Sequence, residues 1–293
     1  MKKRTKLLCL LLVFIVILSA CGTKSDQKHD SQSEGHTYKR IISLMPSNTE
    51  ILYELGLGDD VIGVSTVDDY PKEVKDKKQF DAMKLNKESL MKAKPDLILA
   101  HESQKATNDK VLKGLKDNGV KVVYVKDAQS IDEMYESFMQ IGKVTHKEKA
   151  SKKLVKETKQ NIERVKNSVP DDAKEQKVFM EISSEPEIYT AGKQTFFDDM
   201  LTQLKAENSF SNLNGWQKVS KEDIIKQNPD LMISTMGISS SEYQKMIRKR
   251  GGFSQIKAVQ HNKVKAVNGD EISRPGPRID DGLKKLKEAI YEQ

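Results

Sequence analysis

Cysteine is scarce in this sequence: its 293 residues include two, Cys9 and Cys21, and both lie near the N-terminus. Because no cysteine follows residue 21, the rest of the chain can form no internal disulfide, which excludes a small domain held together by disulfides. The rest of the chain is long enough to bury one or two hydrophobic cores. We therefore expect the fold to depend on the packing of apolar side chains.

The short motifs of common catalytic and metal sites are also absent. The sequence contains no Gly-x-Ser-x-Gly, no His-Glu-x-x-His, no phosphate-binding loop and no paired cysteines. Three of the five histidines, His101, His146 and His261, stand alone, and the other two lie in a polar stretch near the N-terminus. A receptor for bare metal ions needs several side-chain ligands. Such a receptor and an exported hydrolase are kept as distant alternatives, and we predict no catalytic residue, no metal-ligating residue and no resident cofactor.

The first 20 residues have the pattern of an export signal. Four basic residues precede an apolar run over 7–20, and this run is shorter than the roughly 20 apolar residues that a membrane-spanning helix needs. Residues 18–21 (LSAC) are similar to a bacterial lipobox, whose cysteine is lipidated and becomes the new N-terminus. The alternative is an ordinary signal peptide followed by a chance cysteine. We predict a signal peptide over 1–20, lipidation of Cys21, and a protein anchored outside the cytoplasm on a Gram-positive-like cell membrane.

The next residues, 21–38, are polar and predict a flexible tether. The formal net charge of +7 falls to +3 when the four basic residues of the leader are removed, because the leader has no acidic residue. A nucleic-acid partner inferred from the basic composition would depend largely on residues that processing removes. We therefore exclude nucleic acid as a partner.

From residue 40 onward, short apolar strands alternate with amphipathic helices, which is typical of a parallel sheet covered by helices. Ser47 and Glu50 have the spacing of a capping box at the start of the first helix. Residues 146–167 contain no Gly or Pro and predict a helix of roughly 30 Å at about 1.5 Å per residue. Such a helix suits the connection of two lobes, although a surface helix of a single domain would give the same pattern. We predict an N-terminal lobe over 39–143, an interlobe backbone helix over 144–170 and a C-terminal lobe over 171–293.

Two segments that lie 134 positions apart repeat one pattern. Residues 87–99 (KESLMKAKPDLIL) and 221–233 (KEDIIKQNPDLMI) share six of thirteen residues, and each predicts a short helix, a Pro-Asp break and an apolar strand. Glu88 and Glu222 occupy the same place near the two helix starts. The repeat favours two similar lobes, which a purely adhesive surface protein would not explain.

Five motifs, in this order along the chain, resemble one family of receptors. They are residues 40–50 (RIISLMPSNTE), 61–65 (VIGVS), 69–71 (DYP), 94–98 (KPDLI) and 274–278 (RPGPR). From about residue 40 to the C-terminus, the sequence resembles the substrate-binding proteins of bacterial metal-chelate importers, in particular the group that binds ferric siderophores and vitamin B12. The resemblance implies two α/β lobes with central, largely parallel sheets, joined by a single long backbone helix, with the ligand in the cleft between the lobes.

The resemblance also implies partners. Such receptors deliver their ligand to a membrane permease that is driven by an ATPase, and a glutamate on each lobe docks onto arginines of the permease. Glu88 and Glu222 are the matching positions. Taken singly, each glutamate would be explained by the helix dipole, but a matched pair of exposed carboxylates also steers a basic partner. We predict a monomer that docks through these two residues.

Candidate ligand contacts come from the rule that ligands of α/β proteins bind beyond the carboxyl ends of parallel strands. Among the residues that follow predicted strands, the rule nominates Pro46, Ser47, Tyr70 and Tyr189. Trp216, the only tryptophan, stands in a polar stretch. Its ring is suited either to stacking on a large planar ligand or to covering the lobe core.

The resemblance adds further ligand contacts. In the B12-binding relatives, the positions that match Trp216, Asp270 and Arg274 line the cleft, and an arginine can bind an anionic chelate or an amide carbonyl through its planar fork. Two positions that are aromatic in those relatives and stack on the corrin are Val67 and Ala82 here. We therefore predict a metal chelate, foremost a ferric siderophore, with a corrinoid as the alternative and haem left open. Arg278 either starts the last helix or contacts the ligand.

Overall fold

The computed structural model describes residues 37–292, which form two α/β halves. The predicted leader, the predicted lipidation site Cys21 and nearly all of the predicted tether lie outside the described residues. Within the described part, no helix combines the length and the apolar character needed to cross a lipid bilayer.

The first half contains five strands and four α-helices, with a long fifth helix after them. In chain order these are β1 (Ile41–Ser43), α1 (Pro46–Glu54), β2 (Val61–Ser65), β3 (Lys78–Phe80), α2 (Lys87–Lys92), β4 (Leu97–His101), α3 (Lys105–Lys116), β5 (Lys121–Val125), α4 (Ile131–Val144) and α5 (Glu148–Asn167). Short 3-10 turns lie at Gly58–Asp60, Lys72–Asp76 and Glu102–Gln104.

The second half follows α5. Its elements are β6 (Lys177–Ser183), β7 (Ile188–Ala191), α6 (Phe196–Gln203), β8 (Glu207–Asn208), β9 (Trp216–Val219), α7 (Lys221–Gln227), β10 (Leu231–Ser234), α8 (Ser240–Lys249), α9 (Lys257–Gln260), β11 (Val264–Ala266), α10 (Gly269–Ser273) and α11 (Ile279–Tyr291). A 3-10 turn lies at Phe253–Gln255.

Each half is built on its own sheet. The first sheet has the order β3-β2-β1-β4-β5, and all of its strand pairs are parallel. The second has the order β11-β10-β6-β7-β9, with β8 beside β6, and β7 pairs antiparallel with both of its neighbours. The second sheet is therefore mixed, whereas the sequence predicted two largely parallel sheets.

The difference arises from two strands that the sequence pattern did not reveal. Tyr189 and Trp216 were predicted to lie in loops, but Tyr189 is in β7 and Trp216 begins β9. A tight connection after β6 turns the chain back on itself, so β7 runs antiparallel to β6. Four-residue strands carry too little periodicity to be distinguished from loops.

One buried apolar cluster runs through both halves. It includes Ile41 and Leu97 of the first sheet, Met180 and Ile233 of the second, and Phe138 of α4, each no more than 1% exposed. Because interiors of this kind are close-packed, the two halves share one core rather than meeting at a wet interface. We expect them to move little relative to each other.

The helix α5 contacts both halves, since it packs on α4 of the first half and on α11 of the second. Its buried residues, Ser151, Leu154, Thr158 and Ile162, recur at the spacing of one helix face. Gly142 of α4 lies so close to Ser151 that a Cβ atom at position 142 would collide with it. With 20 residues, α5 is about 30 Å long and lies within the predicted backbone-helix segment.

The repeated segments occupy equivalent places in the two sheets. The unit α2–β4 puts β4 between β1 and β5, and the unit α7–β10 puts β10 between β6 and β11. The residue before the proline has a left-handed backbone in both copies, with φ of 50° at Lys94 and 48° at Asn228. The repeat is therefore one of backbone conformation as well as of sequence.

The aspartate of each Pro-Asp break accepts hydrogen bonds from the backbone of a neighbouring segment. Asp96 accepts hydrogen bonds from the backbone N–H groups of Lys39 (2.8 Å) and Arg40 (3.0 Å), just before β1. Asp230 accepts one from the backbone N–H of Lys177 (3.2 Å), which begins β6. Each aspartate thus satisfies backbone donors at the start of the neighbouring central strand.

The predicted capping box at the start of the first helix is wrong. The helix α1 begins at Pro46, its N-cap is Met45, and no side chain caps it. A proline at the first helical position has no N–H to satisfy and a φ suited to the helix, so the helix starts before Ser47. The carboxylate of Glu50 is instead bound by Arg278 of the second half.

Candidate ligand cleft

One cavity lies between the halves, at the carboxyl edges of the two sheets, and a second cavity, lined by residues of the second half, adjoins it. Their volumes are about 320 Å³ and 390 Å³. Both are lined by Phe197, Trp216, Asp270 and Ser273. We treat them as one space and call it the interlobe cleft.

A larger hollow of about 600 Å³ lies at the other edge of the second sheet, beside Leu231 at the start of β10 and Lys263 just before β11. This hollow is lined by residues of the second half and shares none of its lining with the cavity between the halves. Ligands of α/β proteins bind at the carboxyl ends of strands and between lobes. We therefore take the interlobe cleft as the candidate site.

The first half contributes residues that directly follow its strands. Pro46 and Ser47 follow β1, Val67 follows β2, His101 ends β4, and residues 127–129 follow β5. The parallel sheet brings these strand ends to one edge, so segments that are far apart in sequence form one wall.

The second half contributes an aromatic pair. The ring of Trp216 meets the ring of Phe197 edge to face, with the centroids 5.6 Å apart. Phe197 is 2% exposed, whereas Trp216 is 47% exposed. Phe197 thus supports an indole ring that remains open to the cleft, and the alternative role of Trp216 as a lid on the lobe core does not fit this exposure.

His101 is the titratable imidazole of the cleft. Its Nδ1 lies 2.7 Å from the Oγ of Ser103, and its Nε2 lies 3.5 Å from an Asp127 carboxylate oxygen. Burial lowers the pKa of His101 below its usual value, and the nearby charges of Asp127 and Glu102 offset this only in part. The ring is therefore neutral at pH 7.

Arg274 lies at the boundary between the halves and is surrounded by carboxylates. Its guanidinium forms ion pairs with Asp69 (2.5 Å) and Asp270 (3.1 Å) and lies 3.6 Å from Glu50. Burial alone would lower the pKa of Arg274, but the hydrogen bond to Asp69 and the charges of Asp270, Asp69 and Glu50 raise it. The guanidinium thus stays charged, and its charge is matched by protein carboxylates.

Arg278 continues this cluster. It donates hydrogen bonds to Glu50 from Nε (3.0 Å) and Nη2 (2.6 Å), and its guanidinium lies 3.8 Å from the centroid of the Tyr70 ring. It is also the N-cap residue of α11, although its side chain does not cap the helix. The structure therefore supports the first of the two alternatives for Arg278, a place at the start of the last helix. Its hydrogen bonds to Glu50 also join the two halves.

Most of the predicted ligand contacts come together in the cleft. The predicted contacts that line it are Pro46, Ser47, Trp216, Asp270 and Arg274. Tyr70 and Tyr189 do not line it. Tyr70 lies under Arg278, and Tyr189 is a half-exposed residue of β7 opposite Lys218 of β9. The role of all seven residues in ligand binding stays a prediction.

Other lining residues were missed by sequence reasoning. Asp127 and Gln129 follow β5, and the rule that selected the other strand ends would have found them had it been applied to this strand. Phe197 lies on a helix of the second half. No short-range pattern distinguishes it from a core residue.

Glu88 and Glu222 have matching surroundings. Each is exposed and lies in the first turn of its helix, and within residues 37–292 neither forms a hydrogen bond or an ion pair. The backbone donors of these turns are satisfied by other residues, Asn86 in α2 and Ser220 in α7. Each helix leads back to the start of a parallel strand, so its N-terminus lies toward the carboxyl edge of the sheet, as the interlobe cleft does.

Comparison with known proteins decides the family. A family model described as "Periplasmic binding protein" matches residues 41–270. The chain belongs to this family. The predicted fold class, two α/β lobes joined by one long helix, is confirmed. The members of the family are binding proteins.

Two relatives and one solved structure of this binding-protein family illustrate the range. The chain is 41% identical to YvrC of Bacillus subtilis, described as an uncharacterised ABC transporter substrate-binding lipoprotein, over 99% of this chain and 98% of the relative. It is 29% identical to the vitamin B12-binding protein of Pectobacterium carotovorum, over 82% of this chain and 84% of that protein. A solved structure, described as a possible iron-binding (periplasmic solute-binding) protein from Staphylococcus epidermidis, is 66% identical, with a TM-score of 0.83, and the match covers 87% of this chain and all of that one. These likenesses confirm the predicted function at the level of the family, a substrate-binding protein of an ABC transporter.

Proposed function

We propose that this protein is an extracytoplasmic receptor that captures a metal chelate in the interlobe cleft and delivers it to a permease and its ATPase, without catalysing a reaction. The observation that carries the proposal is the open face of Trp216, supported by Phe197 and surrounded by polar groups from both halves. A large chelate has an extended organic surface that such a ring can stack on.

A ferric siderophore is the first candidate ligand. The 66% identical solved structure is described as possibly iron-binding, which supports an iron complex. A cobalamin is the second candidate, supported by the 29% identical vitamin B12-binding relative. Of the two positions that argued against a corrin, Ala82 is buried in the core of the first half, so only Val67, which lines the cleft, bears on the ligand.

The intrinsic fluorescence of Trp216 tests the proposal. Because the chain has one tryptophan, quenching on addition of a chelate reports on the cleft. A panel of ferric siderophores, haem and cobalamins is added to the full-length mature protein, and the melting temperature is measured in parallel. A ligand is expected to quench the emission and to raise the melting temperature by mass action. If no member of the panel changes either signal, the receptor proposal fails.

We infer that the protein is held at the membrane through a lipid on Cys21. The motif over 18–21 and the description of the YvrC relative as a lipoprotein support this. A single acyl chain anchors weakly, whereas two or more anchor stably. The Cys21→Ser variant is expected to appear in the medium, while the wild-type protein takes up labelled palmitate and stays with the membrane. Retention of the variant at the membrane would contradict the anchor.

A further inference from the structure

The charges that line the interlobe cleft are few. Its lining contains four titratable or permanently charged side chains, His101, Asp127, Asp270 and Arg274. No lysine of residues 37–292 lines it, although the chain without its predicted leader still carries a formal net charge of +3. The cleft therefore does not share the basic character of the chain.

Arg274, the one cation among residues 37–292 that lines the cleft, is already paired with carboxylates. Arg274 is 11% exposed at its side chain and pairs with Asp69 and Asp270, with Glu50 close by. The neighbouring cation, Arg278, is bound to Glu50 and covered by Tyr70. In this cluster three carboxylates surround two guanidinium groups, and neither guanidinium is left unpaired.

The charge balance of the cleft is thus negative. Asp127, in the segment that follows β5, adds a further carboxylate, and the His101 beside it is neutral at pH 7. Asp127, Asp69 and Asp270 are each about half exposed. A multiply anionic ligand that filled the cleft would displace the water that screens them, and like charges then repel more strongly than in bulk water. To bind an arginine it would have to compete with Asp69 and Asp270 for the Arg274 guanidinium. The exposed ring of Trp216, by contrast, attracts a cation through its face.

We propose that the interlobe cleft selects uncharged or cationic chelates and discriminates against anionic ones. This inference rests on the proposed receptor function and narrows its substrate class. It favours complexes such as ferric trihydroxamates and cobalamins over triply anionic ferric catecholates and over haem with its two propionates. Of the two sequence-based alternatives for Arg274, an anionic chelate or an amide carbonyl, it disfavours the anionic chelate.

Two matched ligand series separate charge from shape. The first is one linear ferric trihydroxamate with its terminal amine free (cationic), acetylated (neutral) or succinylated (anionic). The second is aquocobalamin (cationic), cyanocobalamin (neutral) and a cobalamin monocarboxylic acid (anionic). Dissociation constants are measured by isothermal titration calorimetry on the mature protein at pH 7 and low ionic strength, where charge effects are largest.

Within whichever series binds, the anionic member is expected to bind about tenfold or more weakly than the neutral one. The double variant Asp127→Asn/Asp270→Asn should narrow this gap. The control Asp171→Asn, at a fully exposed residue, should leave it unchanged. Equal or tighter binding of the anionic member overturns the inference and leaves the receptor function intact. If no member of either series binds but haem or a ferric catecholate of the fluorescence panel does, the inference is overturned and the receptor function stands. If no member of that panel binds either, the receptor proposal fails, and the inference with it.

Discussion

Arg278 and Glu50 form a two-point ion pair between the halves of the molecule, with Nε–Oε2 and Nη2–Oε1 distances of 3.0 Å and 2.6 Å. Glu50 lies in α1 near the start of the fold, and Arg278 directly precedes α11 at its end, 228 positions later. Glu50 is 2% exposed. The pair therefore binds the first helix to the last one at the boundary between the lobes.

The first prediction concerns this pair. Glu50→Gln should lower the free energy of unfolding by about 2 kcal/mol, less than the ~3–5 kcal/mol of a fully buried pair, because the Arg278 side chain is 27% exposed. Urea denaturation followed by circular dichroism measures the change. Glu54→Gln, at an exposed residue one turn later in the same helix, is the matched control and should have almost no effect. Equal stabilities of the two variants would contradict the assigned role of Glu50.

The second prediction compares the residue before the proline in the two copies of the repeat. Lys94 adopts a left-handed backbone, as Asn228 does in the other copy, and asparagine tolerates this conformation better than lysine. Lys94→Asn should therefore stabilise the protein by about 0.5–1 kcal/mol in a thermal or urea melt. Lys92→Asn, at the last residue of α2, should instead destabilise slightly, because asparagine is the poorer helix former and a positive charge is lost from the C-terminal turn. A loss of stability in Lys94→Asn would show that the lysine side chain makes a contribution of its own.

The third prediction concerns pH. Burial lowers the pKa of His101 in the folded protein, so the unfolded chain binds a proton first as the pH falls. The free energy of unfolding should therefore decrease as the pH drops below about 6.5 and level off below the lowered pKa. His101→Gln should remove this component. Asp127→Asn should enlarge it, because the Asp127 carboxylate raises the pKa of His101. The control is His261→Gln at an exposed residue, and an identical pH dependence in His101→Gln and wild type would disprove the assignment.

The fourth prediction concerns delivery. The double variant Glu88→Gln/Glu222→Gln should abolish uptake of the ligand by cells while its dissociation constant stays unchanged, because the two glutamates lie outside the cleft lining. Each single variant should lose part of the uptake. Glu148→Gln serves as a control, since this exposed glutamate also lies in a first helical turn, that of α5, but outside the repeat. Weakened ligand binding by the double variant would mean that the residues act in the cleft rather than in docking.

Much of the fold was predictable from local pattern. Strand-helix alternation and the helix over 146–167 are periodic signals that extend over many residues. The short strands β7 and β9 and the true start of α1 were not predictable in this way. Strand pairing and the selection of a helix N-terminus depend on neighbours that are distant in sequence.

Some residues of the candidate site could likewise be predicted from the sequence, and others could not. Pro46 and Ser47 could be nominated because they follow a recognisable strand, and Trp216 because it is unique. The sequence around Phe197 gave no indication of its role, because that role depends on its contact with the ring of Trp216, which is distant along the chain. Tyr70 was nominated by the same rule as Pro46, yet its ring lies beneath Arg278.

The sequence by itself determined the family, the two-lobe plan and the repeated helix-strand unit with its paired glutamates, because these depend on periodicity and on residues close together in the chain. Only the tertiary structure decided the charge of the cleft. Whether Arg274 is available to a ligand depends on Glu50 and Asp69, which lie more than two hundred positions away. Charges interact through space, and only the folded chain brings these carboxylates within bonding distance of the guanidinium.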